Sequence, residues 1–267
     1  MPSVDVAAVV TSGRDDALAP AIARLAAVAQ AAGVRLVLPG EGQEAQRGAD
    51  IAIVLGGDGT MLRALNQFHG TGTPVIGINY GRVGFLTAIT ADGLEDGVAR
   101  VFAGDYRTVE LSTLEVVVGG VTSIAANDVV VAGGILGRMV ELGHAIGDEE
   151  LGVQPCDGLI CATPAGSTAY NLSNGGPVLV WGLDAMVLTF VAPHTLDVRP
   201  LVVPRGPDLV ITNRTEGVDA IVLVDGREVG KLGVGERAVV RVGSNPSLLA
   251  TLPEVTFFRR YSAAFGH

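Results

Sequence analysis

The stretch IAIVLGGDGT at residues 51–60 restricts the fold more than any other part of this chain. Five apolar residues run directly into a turn with three glycines around Asp58. Apolar residues then recur every three or four positions from Met61 to Phe68. A buried strand followed at once by an amphipathic helix is typical of an open α/β sheet, in which ligands bind at the carboxyl ends of the strands. We therefore expect a ligand site at this turn.

The chemistry of the turn depends on Asp58. Glycines allow a close approach between backbone and ligand, and the free N–H groups at a helix start attract an anion such as a phosphate. A carboxylate beside a phosphate site suits a group that accepts a proton or holds a metal ion. From the turn alone the alternative stays equally open, namely that Asp58 caps the helix and the glycines form a turn.

Composition limits the class of protein. The chain has 267 residues, of which 48% are hydrophobic, and a net charge of −10 from 18 basic and 28 acidic residues. This length suits one large or two small domains, and the acidic balance disfavours binding to nucleic acid or an anionic membrane. No apolar run reaches the ~20 residues of a membrane span and no signal peptide is evident, so a cytoplasmic location is expected. The only cysteines, Cys156 and Cys161, lack zinc-site spacing and are interpreted as reduced and structural.

Two regions with different sequence patterns follow one another along the chain. Residues 1–100 alternate strand and helix patterns, which predicts an α/β domain with a mostly parallel sheet. Within it, the polar segment 39–50 is expected to be a loop. Residues 101–246 contain short strands separated by Gly-rich turns, which predicts an all-β, sandwich-like domain. Residues 247–267 end in an aromatic cluster that could pack back on the first domain.

Three further motifs, together with the glycine turn, resemble the NAD kinase family. They are GINYGRVGFLT at residues 77–87, DGLICATPAGSTAYNLSNGGP at 157–177 and HTLDVRPLVVP at 194–204. The resemblance implies an enzyme that transfers the terminal phosphoryl group of ATP or polyphosphate to the 2′-hydroxyl of the adenosine ribose of NAD. It also implies a divalent cofactor, Mg²⁺ or Mn²⁺, for which no protein ligand is assigned, and a homodimer or homotetramer.

The resemblance also assigns roles to single residues. Asp58 is then the base that takes the proton of the ribose 2′-hydroxyl. The nucleotide-binding positions that it implies are Gly56, Gly57, Gly59, Thr60, Phe85, Asn127, Asp128, Arg138, Asp157, Thr168, Ala169, Tyr170, Ser173 and Ala192. Two positions depart from the usual family pattern, because Asp128 stands where Glu is usual and Ala165 where Thr is usual.

Several of these positions have simpler interpretations as ordinary structure. Asn127-Asp128 could form a turn, Asp157 could belong to an Asp-Gly turn, and Arg138 could be a solvated surface residue. Arg227 could coincide with a family binding position, although a hairpin turn at 225–227 is the simpler interpretation. The four histidines show no shared spacing and are given no catalytic role.

Two other functions remain open. A lipid kinase of the diacylglycerol type resembles this family around GGDGT, but we would expect it to carry a basic or amphipathic membrane-contact surface, and none is visible. A non-catalytic NAD(H)-binding regulator on the same scaffold would have no use for Asp58 beside the phosphates.

Overall fold

The computed structural model describes residues 4–13, 15–81, 84–135, 137–195 and 197–266. Arg82 and Val83 of the motif at residues 77–87 and Leu196 of the motif at 194–204 lie outside the described residues. The chain divides into two compact units, one formed by Met1–Glu110 with Ser247–His267 and the other by Leu111–Pro246. The last 21 residues of the chain therefore belong to the unit that contains the glycine turn.

The secondary structure elements are numbered in chain order. The strands are β1 (Val6–Thr11), β2 (Arg35–Val37), β3 (Ile51–Gly56), β4 (Val75–Asn79), β5 (Ile89–Thr90), β6 (Arg107–Leu111), β7 (Leu114–Val118), β8 (Val121–Ala125), β9 (Asp128–Gly133), β10 (Val140–Ile146), β11 (Glu149–Cys156), β12 (Gly158–Ala162), β13 (Ala185–Val191), β14 (Leu201–Pro204), β15 (Leu209–Asn213), β16 (Ala220–Val224), β17 (Arg227–Leu232), β18 (Arg237–Val242) and β19 (Ser247–Thr251). The helices are α1 (Asp15–Ala32), α2 (Gln43–Arg47), α3 (Asp58–Gln67), α4 (Leu94–Phe102), α5 (Tyr170–Ser173) and α6 (Phe257–Phe265), with a 3₁₀ turn at Gly166–Thr168.

The first unit is built on one sheet with the strand order β2-β1-β3-β4-β19-β6, and β5 lies beside β4. The pairs of β1 with β2, β1 with β3, β3 with β4 and β4 with β19 are parallel. The mostly parallel α/β sheet predicted from the sequence is therefore confirmed. Because β2 lies on one side of β1 and β3 on the other, the strand order changes direction at the carboxyl ends of β1 and β3.

The helices of this unit follow their apolar periodicity. In α1 the side chains of Leu18, Ala21, Leu25 and Ala29 are buried at spacings of three and four. The loop predicted for residues 39–50 is wrong in part, because α2 lies within it. Gln46 is the buried polar residue of α2, and so short a helix has no apolar stripe to reveal it. Among the described residues, no helix is long and apolar enough to span a membrane.

The second unit consists of two antiparallel sheets with six strands each. Their strand orders are β11-β10-β15-β18-β7-β8 and β14-β13-β12-β9-β16-β17. Burial alternates along β7, where Leu114, Val116 and Val118 point into one core together with Val129 and Val131 of β9 from the other sheet. The sandwich-like, all-β prediction is therefore confirmed.

Candidate active site

The glycine turn lies between β3 and α3, at the carboxyl end of a fully buried strand. Gly57 is the N-cap residue, with φ −107° and ψ −169°, and no side chain bonds to the helix start as a cap. Asp58 is the first residue of α3. The capping interpretation of Asp58 is therefore wrong, and its carboxylate has other partners.

Those partners are two backbone amides of the segment that follows β4. Asp58 Oδ2 accepts a hydrogen bond from the Phe85 N–H at 2.7 Å, and Oδ1 accepts one from the Leu86 N–H at 3.0 Å. A Cβ atom on Gly84 would lie 2.2 Å from Asp58 Oδ1, so only glycine at this position allows so close an approach. The fold thus brings Phe85 next to Asp58 and holds the carboxylate from both of its oxygens.

The glycines of the turn have different environments. A Cβ atom on Gly56 would lie 2.6 Å from Thr60 Oγ1, so the missing side chain of Gly56 makes room for Thr60. Gly59 has open space around its hypothetical Cβ, and the nearest atom for Gly57 is Gly81 Cα at 3.8 Å. Open space therefore exists at Gly59, whereas Gly57 faces the backbone of Gly81. The ligand contacts expected of Gly56 and Thr60 stay predictions.

A cavity of about 470 Å³ lies along α3, beside the carboxyl end of β1. Arg63 and Gln67, one turn apart on α3, contribute polar side chains to it, and Arg63 Nη2 donates to the Thr11 carbonyl. The lining residues are Val9, Val10, Thr11, Gly13, Pro39, Gly40, Gly42, Gln46, Arg63 and Gln67. The cavity therefore lies at the crevice where open α/β sheets bind ligands.

In the second unit, Asn127 lies in the bend between β8 and β9, and Asp128 is the first residue of β9. The Asp225 carboxylate accepts hydrogen bonds from the backbone N–H groups of Ala126 at 2.9 Å, Asn127 at 2.8 Å and Asp128 at 3.2 Å. On the other side, Thr163 Oγ1 donates to the Ala126 carbonyl at 2.7 Å. The backbone around the pair is thus held by two side chains from distant parts of the sequence.

Both members of the pair are buried. Asn127 is unusual in its hydrogen bonding, and Asp128 is unusual in its pKa. Asn127 Oδ1 is buried and has no hydrogen-bond partner within the described part of the chain, a state that native proteins avoid unless a ligand or water supplies the donor. Burial, and then the negative charge of Asp225, raise the pKa of Asp128 to about 7. Asp128 therefore changes its charge near neutral pH.

The segment 163–173 packs directly on Asn127. A Cβ atom on Gly166 would lie 2.0 Å from the Asn127 carbonyl oxygen, and the Gly166 N–H donates to Thr163 Oγ1. Thr168 and Ala169 are half-buried, whereas Tyr170 is 45% exposed and Ser173 is exposed. The predicted positions 168–173 thus follow shortly after Gly166, the residue that packs against Asn127.

The remaining predicted positions lie apart from this cluster. The Asp157 N–H donates to the Val191 carbonyl at 3.0 Å, which brings Asp157 close to Ala192. Ala192 adopts a φ of 44°, a strained conformation that often marks a functional position. Arg138 is exposed, so its role at a pyrophosphate stays a prediction.

The hairpin interpretation of residues 225–227 is confirmed, but it is incomplete. Asp225 and Gly226 have φ values of 47° and 77°, which is the pattern of a type I′ turn between β16 and β17. We did not predict the contact of Asp225 with residues 126–128. No local pattern could reveal it, because the partners are 97 to 99 positions apart.

Metal ligands are scarce at these sites. Within the described ranges, no group of three or more His, Cys, Asp or Glu side chains is placed to hold a metal ion. Mg²⁺ is commonly bound by one or two carboxylates together with substrate phosphates and water. Asp58 provides a single carboxylate at the glycine turn. This suits a metal ion that is held mainly by substrate phosphates and water, and not one that is held by protein side chains alone.

Comparison with family models supports the assignment made from the motifs. A model described as the ATP-NAD kinase N-terminal domain matches residues 37–106, and one described as the ATP-NAD kinase C-terminal domain matches residues 126–252. The chain is 41% identical over 218 residues to an NAD kinase of Heliobacterium modesticaldum, covering 80% of this chain and 77% of that one. It is 39% identical over 223 residues to an NAD kinase of Gemmatimonas aurantiaca, covering 81% and 77%.

Two solved structures are similar in fold. Yeast NADH kinase in complex with NADH aligns with a TM-score of 0.90 at 21% identity, covering 100% of this chain and 89% of the yeast chain. An NAD kinase from Archaeoglobus fulgidus in complex with ATP aligns with a TM-score of 0.78 at 25% identity, covering 98% and 97%.

Proposed function

Because this chain belongs to the ATP-NAD kinase family, we propose which of its residues carry out the phosphoryl transfer. The activity itself is that of an NAD kinase, so neither a lipid kinase nor a non-catalytic regulator is retained. Incubation with NAD, ATP and Mg²⁺ should yield NAD that is phosphorylated at the 2′-hydroxyl of the adenosine ribose. The absence of that product would contradict the assignment.

Asp58 is the general base of this reaction. Its carboxylate takes the proton of the 2′-hydroxyl as the new bond forms between that oxygen and the terminal phosphorus of ATP, while the bond from this phosphorus to the bridging oxygen breaks and ADP leaves. The observation that carries the proposal is the carboxylate at the glycine turn, held by the Phe85 and Leu86 amides and not used as a helix cap. A base fixed in this way need not be reoriented at each turnover.

The donor nucleotide is placed along α3. Free N–H groups at the start of α3, next to the open space at Gly59, suit the triphosphate. The cavity lined by Arg63 and Gln67 lies further along the same helix, and we place the rest of the nucleotide there. Polyphosphate has the same terminal phosphoanhydride, so the same turn would accept it as an alternative donor.

Arg63→Ala should raise KM for ATP by about 10-fold or more, because a hydrogen bond to a charged group contributes roughly 1.5–3 kcal/mol. KM for NAD should stay near the wild-type value. Arg47→Ala is the matched control, since Arg47 is exposed and does not line the cavity. Steady-state kinetics with each substrate varied in turn makes the measurement. An unchanged KM for ATP in a folded Arg63→Ala protein would place the donor elsewhere.

Asn127 and Asp128 bind the ribose hydroxyls of NAD, and the segment from Thr168 to Ser173 contacts the dinucleotide. The buried, unpartnered oxygen of Asn127 supports this proposal, because a ribose hydroxyl would supply the missing donor. The carboxylate of Asp128 is one methylene shorter than the usual Glu. The hydrogen bond that the Asp128 N–H donates to Asp225, and the one that Thr163 donates to the Ala126 carbonyl, hold the backbone that carries this shorter side chain.

Asp128→Ala should weaken NAD binding by roughly 10–150-fold, the equivalent of a charge-assisted hydrogen bond of about 1.5–3 kcal/mol. KM for ATP should change little. Because the pKa of Asp128 is raised to about 7, its carboxylate ionises as the pH rises from 6 to 8, and wild-type NAD binding should strengthen over this range. In Asp128→Asn that gain should be absent.

Calorimetric titration of NAD at both pH values measures these effects. Asp148→Asn, an exposed carboxylate in the turn between β10 and β11, is the control for loss of one charge. Wild-type affinity in Asp128→Ala would mean that this carboxylate does not contact NAD. Asp128→Glu tests the reach of the side chain, because a longer carboxylate raises KM if the contact is direct and leaves it equal or lower if a water bridges.

The cofactor, assembly and location follow the family expectation. A divalent cation, Mg²⁺ or Mn²⁺, bound with the ATP phosphates at the glycine turn would supply positive charge to offset the charge of the transferred phosphoryl group. Cys156 and Cys161 are free and buried, as expected of a protein in the reducing cytoplasm.

A homodimer or homotetramer is supported by β11, which lies at the edge of its described sheet and exposes Leu151 and Val153.

A further inference from the structure

One buried cation in the first unit is not used by the proposed mechanism. Arg260 of α6 is 7% exposed, although its neighbour Arg259 is exposed on the same helix. Its guanidinium donates from Nη1 to the carbonyls of Phe85, at 2.7 Å, and Thr87, and from Nη2 to Thr251 Oγ1 at 2.9 Å. A side chain from the end of the chain thus binds the segment that holds Asp58.

The connection runs through a single peptide group. The Phe85 carbonyl that accepts from Arg260 and the Leu86 N–H that donates to Asp58 Oδ1 belong to the same peptide. Hydrogen bonds in such a series polarise one another, and they do so more strongly in a poorly hydrated site. The guanidinium therefore orients this peptide and strengthens its N–H as a donor to the carboxylate.

Aromatic packing fixes α6 in the position that this contact needs. The Phe85 ring lies 5.5 Å from the Phe257 ring in an edge-to-face arrangement and 6.3 Å from the Phe265 ring in a stacked one. Burial lowers the pKa of Arg260 to about 10, and the nearby Asp58 charge opposes that shift. Arg260 accordingly stays protonated at neutral pH.

We propose that Arg260 is a positioning residue for the phosphoryl transfer, acting on Asp58 through the Phe85–Leu86 peptide. This inference rests on the proposed role of Asp58 as the base. It predicts that α6 contributes to turnover, because Arg260 keeps the Leu86 amide in line with the carboxylate.

Arg260→Lys keeps the positive charge but lacks the planar fork that reaches both carbonyls and Thr251. Arg260→Met has a side chain of similar length but removes all the hydrogen-bond donors. Arg260→Met should lower kcat roughly 10–100-fold, the scale expected when a catalytic group is misplaced by about 1 Å. KM for NAD should stay within about threefold, and Arg260→Lys should restore part of the lost kcat. Arg259→Met is the matched control and should keep wild-type kinetics.

The decisive measurement repeats the Arg260 substitution in an Asp58→Asn background. If Arg260 acts through Asp58, the second substitution should cause little further loss of the residual kcat. Equal losses in both backgrounds would mean a merely structural role and would overturn the proposal, as would a folded Arg260→Met protein with kcat within threefold of wild type. If Arg260→Met does not fold, Arg260→Lys takes its place in the same comparison.

The amide proton resonance of Leu86 in the NMR spectrum gives a readout that does not depend on turnover. It should move upfield in Arg260→Lys, because the donor to Asp58 is weakened, and an unmoved resonance would contradict the proposal. If Asp58→Asn keeps full activity, the base assignment has failed, and the resonance still reports whether Arg260 is coupled to this amide.

Discussion

Asp58→Asn is expected to lower kcat by ~10²–10⁴-fold, the usual contribution of a positioned general base. The substitution removes the group that accepts the 2′-hydroxyl proton. The Asn side chain can also accept a hydrogen bond from only one of the two N–H groups, of Phe85 and Leu86, that now bind the carboxylate. The other N–H group will face the NH₂ of the amide. KM for NAD should change little, because the substitution leaves Asn127, Asp128 and the segment from Thr168 to Ser173 intact, the residues proposed to bind NAD.

Kinetics of purified Asp58→Asn protein, with thermal unfolding measured in parallel, tests this expectation. Asp96→Asn is the matched control, since Asp96 is an exposed acidic residue in the first turn of α4 in the same unit. The control should have wild-type kinetics. An Asp58→Asn protein that is folded and turns over at the wild-type rate would show that another group takes the proton.

Removal of divalent cations with excess EDTA should abolish turnover, a loss of roughly 10³-fold or more if the cation supplies several kcal/mol of charge stabilisation. The sequence contains no GxxxxGK[ST] motif, so no P-loop lysine is available for the triphosphate. Within the described ranges, no cluster of acidic or His/Cys side chains is placed to hold a metal ion. The metal should therefore arrive with ATP.

Titration of Mg²⁺ back into the EDTA-treated enzyme should restore activity in proportion to the concentration of the ATP–metal complex. NAD binding, measured by calorimetry in EDTA, should stay near its value with metal because the ion is expected on the donor. Full turnover in excess EDTA would exclude the proposed role. Loss of NAD binding in EDTA would place a metal site on the acceptor side.

Elements with a strong repeating pattern were predictable from the sequence. The apolar run of β3 and the three-and-four spacing in α3 located the strand, the turn and the helix, because each pattern reflects burial of one element against its neighbours. Among the elements that were not recognised are β11 and α2. The outer half of β11 is exposed on both faces, and α2 spans only five residues without an apolar stripe.

The candidate site was predictable where its chemistry lies in one short segment. The glycines around Asp58 and the Asn127-Asp128 pair are such segments, and the family resemblance assigned a role to both. Asp225 and Arg260 were missed as supporting residues. Each acts on backbone far away in the sequence, Asp225 at 97 to 99 positions and Arg260 at 175 and 173 positions.

The sequence by itself determined the family, the fold class and the identity of the carboxylate at the turn, because these depend on residues close together in the chain. Only the tertiary structure decided what Asp58 binds. A carboxylate at a helix start can cap the helix or face a neighbouring segment, and the choice depends on where the chain after β4 passes. Here the close packing of Gly84 brings the Phe85 and Leu86 amides within 2.7 and 3.0 Å of Asp58, so the neighbouring segment binds the carboxylate.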